Sequence, residues 1–186
     1  VDARIELSDQ PDGFGYACRI APGDIRLLSG CLDSLYKWNT LFHEIGHAAA
    51  YAMNPLTGLF STWDAGFDEA MAVLMESLAA RMLLDATAQE FLSELSILTS
   101  CRCALSALFE WALWRDPDHA ATLYRAHYSR LIREIGNPEW WVFDTFRTID
   151  PFYIFHYVIG RRLADRITAY LDLKMGANHR AWGRWL

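Results

Sequence analysis

The chain of 186 residues is long enough for one domain with a proper core and too short for two comfortable ones. A formal net charge of -6, with no basic stripe among its seventeen Lys and Arg residues, excludes nucleic acid as the expected partner. Eight tryptophans, ten phenylalanines and eight tyrosines are many for this size, so the chain either buries much or presents a surface to a partner.

Residues 1–30 read as a small antiparallel sheet of two or three strands, because Ala3 to Leu7 alternates with period two and Phe14 to Ala21 is rich in β-compatible side chains. Pro11-Asp12-Gly13 and Pro22-Gly23-Asp24 are turn signals, and Ile25 to Leu28 completes the pattern. Residues 31–186 read as a helical core of the same domain. Asp33 or Ser34 caps a first helix that runs to about Met53, and a short aromatic loop from Asn54 to Asp64 turns into a second helix ending near Leu84. A long helix from Thr87 to Trp114 follows, with Phe91, Leu95, Leu98, Leu105, Leu108, Phe109 and Leu113 as its core stripe. Asp116-Pro117 starts another helix reaching Ile135, and a last one spans about Phe152 to Lys174. The segment from Asn178 to Leu186 reads as a frayed end or a docking tail. The class is therefore mainly α (α+β).

Cys101 and Cys103 lie two apart in a helical stretch, where their side chains diverge, so free thiols in a reducing, cytoplasmic setting are expected. No uninterrupted apolar run approaches the ~18 residues of a membrane span, so no membrane is expected as a partner.

Chemistry is spelled out at His43-Glu44-Ile45-Gly46-His47. Histidines four apart share a helix face, about 6 Å along its axis, and both imidazoles can meet one zinc ion. The glutamate after the first histidine is placed to take a proton from water, which is the logic of hydrolysis. Two exposed histidines on a charged helix would spell the same letters, but Leu41, Phe42, Ala48, Ala49 and Ala50 mark a buried helix. A buried cluster of this kind without metal would leave polar groups unpaired, at roughly 1–3 kcal/mol each. On the second helix Glu69, 22 positions after His47, is the expected third ligand of one Zn2+ per chain. Glu76 lies nearly two turns further on the same face, where it would orient a ligating histidine or pair with Arg81 or Arg102, and Asp68 is a candidate of the same kind. His119 and His127 lack a companion at ligand spacing and read as structural or exposed. In the last helix Tyr153, His156 and Tyr157 share a face as candidate oxyanion donors, or as amphipathic rings with wet tips.

These segments resemble a family. His43-Glu44-Ile45-Gly46-His47-Ala48 is similar to the HExGHA signature of the oligoendopeptidase F and thimet oligopeptidase group of zinc metallopeptidases, of gluzincin type, with a related version in angiotensin-converting enzyme. Gly66 to Ala70 resembles the segment carrying their glutamate ligand, the step from Glu69 to Glu76 recurs in the oligoendopeptidase pattern, and Pro151 to Gly160 resembles the stretch whose tyrosines line the site. Ala21 to Arg26 has the look of the strands ahead of the motif. The resemblance implies His43, His47 and Glu69 as zinc ligands, Glu44 as general base, and Tyr153, His156 and Tyr157 as oxyanion or substrate contacts. It implies a peptidase acting on short peptides or on an exposed protein segment. Family members are usually much larger, so a minimal peptidase with an open cleft, a catalytic part of a larger parent protein, and a homo-oligomer whose other copy completes the cleft all stay open. So do two other function classes, a catalytically silent zinc-containing binding protein on the same scaffold and a metal-free helical interaction domain.

Overall fold

Ser34 closes the first turn of α1 (Leu35–Met53) by accepting from the Lys37 amide at 3.4 Å, and Asp64 caps α2 (Ala65–Leu83) through the amides of Gly66 at 2.9 Å and Phe67 at 3.3 Å. The computed structural model describes residues 3–7, 15–21, 23–54, 64–143, 150–176, 178 and 181–182, with the side chains of 3–7 left aside. The turn expected at Pro11-Asp12-Gly13 and most of the loop after Asn54 lie outside the described residues. The remaining elements are β1 (Ala3–Leu7), β2 (Tyr16–Ala21), β3 (Asp24–Ser29), α3 (Ala86–Leu113), α4 (Ala120–Tyr128) and α5 (Ile154–Met175), with 3-10 turns at Pro117–His119 and Pro138–Phe143. The fold is mainly α with a small N-terminal sheet, as the composition of its segments predicts. The chain divides into two compact units, Val1–Ser93 with Ile159–Leu186, and Glu94–Val158. Each is described by itself.

In the first unit the sheet order is β1-β3-β2. β2 and β3 form the expected antiparallel hairpin, turned at Gly23, whose φ of 82° suits a residue without Cβ. β1 departs from the antiparallel expectation by pairing with β3 in parallel, Ala3 opposite Ile25 through Leu7 opposite Ser29. The hairpin leaves one edge of β3 open, and that strand takes the centre of the sheet with Ile25, Leu27 and Ser29 buried. Ala17, Ile25 and Leu27 on its inner face pack on Ala48 of α1, with Ile45 and Tyr51 alongside.

α1 and α2 run antiparallel at very close range. A Cβ on Gly46 would collide with the Ala72 backbone and lie 2.6 Å from the Met71 carbonyl oxygen. Ala50, Ala70 and Ala72 are fully buried in the same unit, so the pair is built on small residues and its polar side chains can reach across. α5 closes the unit with Gly160 against Glu69, Ala164 against Ala70 and Val73, and Leu171 against Ala50, Met71 and Leu74. Within the segment expected as a frayed end or a docking tail, Trp182 is fully buried in that last cluster, under the guanidinium of Arg81 at 5.2 Å.

The second unit is organised on Phe109, Leu113, Ala120 and Tyr128, with Ile135 and Trp141 packed on them. α4 stops at Tyr128 rather than at Ile135, because the chain turns over Tyr128, whose carbonyl accepts from Leu131 and Ile132 at 3.0 and 2.9 Å, and this brings Ile135 back onto the Phe109 cluster. α5 starts two residues later than expected since Phe152 sits at φ 66°, a left-handed conformation that cannot open a right-handed helix. α3 also differs from its reading: a stretch of it has mean hydropathy 1.3 and is long and apolar enough to cross a membrane by composition, with 22% of it buried. Ser and Thr residues interrupt its apolar runs, and of the expected core stripe Phe91, Leu98 and Leu108 are exposed. None of the four cysteines, all among the described residues, forms a disulfide.

Candidate metal centre

One α1 face carries Asn39, His43, His47 and Tyr51, each four residues after the last, so they lie in a single row slowly winding about the axis. α2 passes this row in the opposite direction and presents Glu76, Glu69 and Asp68 in turn. His43 Nε2 lies 3.2 Å from His47 Nε2 and 3.5 Å from Glu69 Oε2, and His47 Nε2 lies 4.0 Å from the same oxygen. These three residues could hold a metal ion. A point equidistant from the three atoms is about 2 Å from each, the length of a metal bond to imidazole nitrogen or carboxylate oxygen. Glu69 is 1% exposed and His47 8%, so the cradle is withdrawn from solvent, where bare charges are costly.

The outer ring nitrogens face carboxylates. His43 Nδ1 is 2.6 Å from Glu76 Oε1, whose other oxygen accepts from Asn39 Nδ2 at 2.9 Å. His47 Nδ1 is 3.1 Å from Asp68 Oδ2, at ion-pair distance but without the alignment of a hydrogen bond, and Tyr51 Oη donates to the same oxygen at 3.4 Å. An ionised carboxylate can only accept, so in these contacts Nδ1 carries the hydrogen and, in the neutral ring, Nε2 keeps its lone pair for the cradle. Thus Glu76 and Asp68, read in the sequence as candidates to orient a histidine, each stand behind a different one.

Without metal these charges hold each other. Burial pushes the His43 imidazolium down, but the Glu69 and Glu76 carboxylates outweigh it and raise its pKa to about 10. Glu76 is lowered: burial works against its charge, and the His43 contact, the Asn39 amide and Arg161 prevail. Glu44 is 7% exposed, and burial raises its pKa against the opposing pull of His43 and His47, with Glu69 and Asp68 adding to the rise. Gly15, just ahead of β2, lies over it: a Cβ there would be 2.6 Å from Glu44 Cγ.

Tyr153, His156 and Tyr157 belong to the second unit. Their rings cluster, with Tyr153 5.5 Å from both others, and Tyr157 packs on Cys103, Ala107 and Ile154. His119 is exposed and paired with Asp116 at 2.8 Å, while His127 rests against the Phe109 ring. Sequence reasoning missed Asn39 and Tyr51. Their signal was the continuation of the four-residue step on both sides of the two histidines. Comparison with protein-family models, with curated proteins and with solved structures gives no match.

Proposed function

We propose that the chain is a zinc-dependent metallopeptidase that hydrolyses peptide bonds of short peptides or of an exposed protein segment. The observation that carries the reading is the convergence of His43 Nε2, His47 Nε2 and Glu69 Oε2, with both imidazoles backed by carboxylates. Two imidazoles and one carboxylate are the donor set of a hydrolytic zinc site, which keeps a position open. Zinc bound there supplies a Lewis acid and lowers the pKa of water toward neutrality.

The chain's own residues do the rest. Glu44, next to His43 and withdrawn from solvent, accepts a proton from the attacking water. The water oxygen bonds to the peptide carbonyl carbon, the carbon–nitrogen bond breaks, and Glu44 returns the proton to the leaving amine. Support for this part comes from the burial of Glu44 beside the cradle and from the resemblance of the motif. Oxyanion contacts from Tyr153, His156 or Tyr157 are supported by the donor chemistry of these side chains and by the resemblance of their stretch.

Metal analysis of the purified protein should find about one zinc per chain, with peptide cleavage abolished by a chelator and restored by zinc. Glu44→Gln should keep the zinc and lose turnover. Cleavage by metal-free protein, or a protein that takes up no zinc, overturns the proposal.

A further inference from the structure

We propose that Asn39 and Tyr51 are positioning residues for the metal cradle, each locking the carboxylate that sets one histidine. The inference rests on the metal reading above and extends it to two side chains that contact the carboxylates behind the cradle.

The geometry is a ladder between antiparallel helices. On α1 the order is Asn39, His43, His47, Tyr51, and on α2 the facing order is Glu76, Glu69, Asp68. The two inner rungs build the cradle and the two outer rungs anchor it. At one end the Asn39 amide holds Glu76 Oε2 at 2.9 Å, leaving Oε1 to His43 Nδ1 at 2.6 Å. At the other end Tyr51 Oη and His47 Nδ1 approach the same oxygen of Asp68, at 3.4 and 3.1 Å. Both anchors are half-buried, and the Asp68 side chain is 14% exposed, so water competes weakly for these contacts.

The chemistry requires such anchors. A carboxylate behind a ligating imidazole fixes the tautomer and the ring plane only if it is itself held; a carboxylate free to rotate would let Nδ1 and Nε2 exchange roles. Asn39 supplies a donor that cannot titrate, and Tyr51 supplies one whose ionisation is disfavoured by its burial and by the neighbouring Asp68 carboxylate. The two ends differ. The His43 arm is fully hydrogen-bonded, whereas the His47 arm is longer and leaves Asp68 Oδ1 buried with no hydrogen-bond partner among the described residues. Tyr51 therefore holds the looser arm, in which one weak hydroxyl contact restrains Asp68.

Tyr51→Phe removes only the hydroxyl and keeps the ring that packs on Ala17, Ile25 and Leu27. Asn39→Ala is the matching change at the other end. In the 186-residue chain, zinc affinity is measured by competition with a chromophoric chelator, the visible bands of the cobalt-substituted protein report ligand geometry, and a thermal melt of the metal-free protein reports folding. Each variant should weaken zinc about tenfold, the lower end of what partners behind metal ligands contribute, and shift the cobalt bands, while the metal-free chain stays folded at the assay temperature. Wild-type protein that binds zinc while both variants bind it within twofold as tightly overturns this inference and leaves the metal reading standing. An affinity loss that merely follows a lowered metal-free melting temperature also overturns it, and a wild-type chain that binds no zinc overturns both.

Discussion

His43 Nδ1 and Glu76 Oε1 meet at 2.6 Å across the seam between α1 and α2, and in the metal-free protein this contact is an ion pair. Its pH dependence has two limbs. His43 is raised from 6.5 to about 10, so its contribution to stability is complete below 6.5 and is lost as pH rises toward 10. Glu76 is lowered from 4.5, so its contribution is present above 4.5 and is lost as pH falls through the depressed value. Thermal melts of chelator-treated protein should therefore fall on the alkaline side between 6.5 and about 10, and again below 4.5. A melting temperature flat across the alkaline window would show that the pair is not formed.

The close approach of α1 and α2 at Gly46 makes a second prediction. Gly46→Ala inserts a methyl group against the Ala72 backbone, and neither helix has a flexible side chain there to give way. Overpacking of this kind costs about 1–3 kcal/mol, readable in a denaturant titration. Gly160→Ala presses instead on Glu69 Cβ, at 2.5 Å, and on the Ala70 amide at 3.0 Å. It should lower zinc affinity as well as stability, because the residue it displaces is a ligand in the proposed site. Equal stability loss with unchanged zinc affinity would remove Glu69 from the ligand set.

Trp182 carries a third prediction. Its side chain is fully buried among Ala50, Met71, Leu74 and Leu171, and Arg81 covers it while also reaching Asp172 at 2.7 Å. Trp182→Ala should cost about 3–5 kcal/mol, the range for emptying a large aromatic site in a core. A truncation ending at Met175 should be destabilised to at least the same degree. If the truncated chain melts like the full one, the tail contributes nothing to the first unit.

What was legible in the residues themselves depended on how local the cause was. His43, Glu44 and His47 were readable because four-residue spacing on a helix is a local property, and Ser34 was readable as one of two candidate caps for the same reason. Glu69 was named from its place on a second helix and from resemblance, and the structure sets it 3.5 Å from His43. β1 was not readable as a parallel partner, since its pairing with β3 skips over β2 and no local pattern encodes it. The end of α4 at Tyr128 was hidden as well, because tertiary burial of Ile135 decides it, against residues that would all tolerate a helix. Asn39 and Tyr51 went unread for a different reason: neither residue type announces metal chemistry, and only the facing carboxylates give them a task.

Glu110 in the second unit gives a last prediction, concerned with folding alone. It is 1% exposed on α3 and accepts from the Phe152 amide at 2.8 Å and from Trp114 Nε1 at 3.4 Å. Phe152 is held at φ 66°, where a bulky residue is strained, with its ring among those of Trp111, Trp114 and Phe155. The carboxylate thus pins the one left-handed non-glycine residue among the described residues, at the entry to α5. Glu110→Gln retains an oxygen that can accept from Phe152 and should be tolerated with a small loss. Glu110→Leu removes the acceptor of the half-buried Phe152 amide, at a cost of about 1 kcal/mol. Equilibrium unfolding followed by tryptophan fluorescence reads the difference, since Trp111 and Trp114 flank Phe152; equal stability of the two variants would mean that ring packing, and not the Glu110 contact, holds the turn.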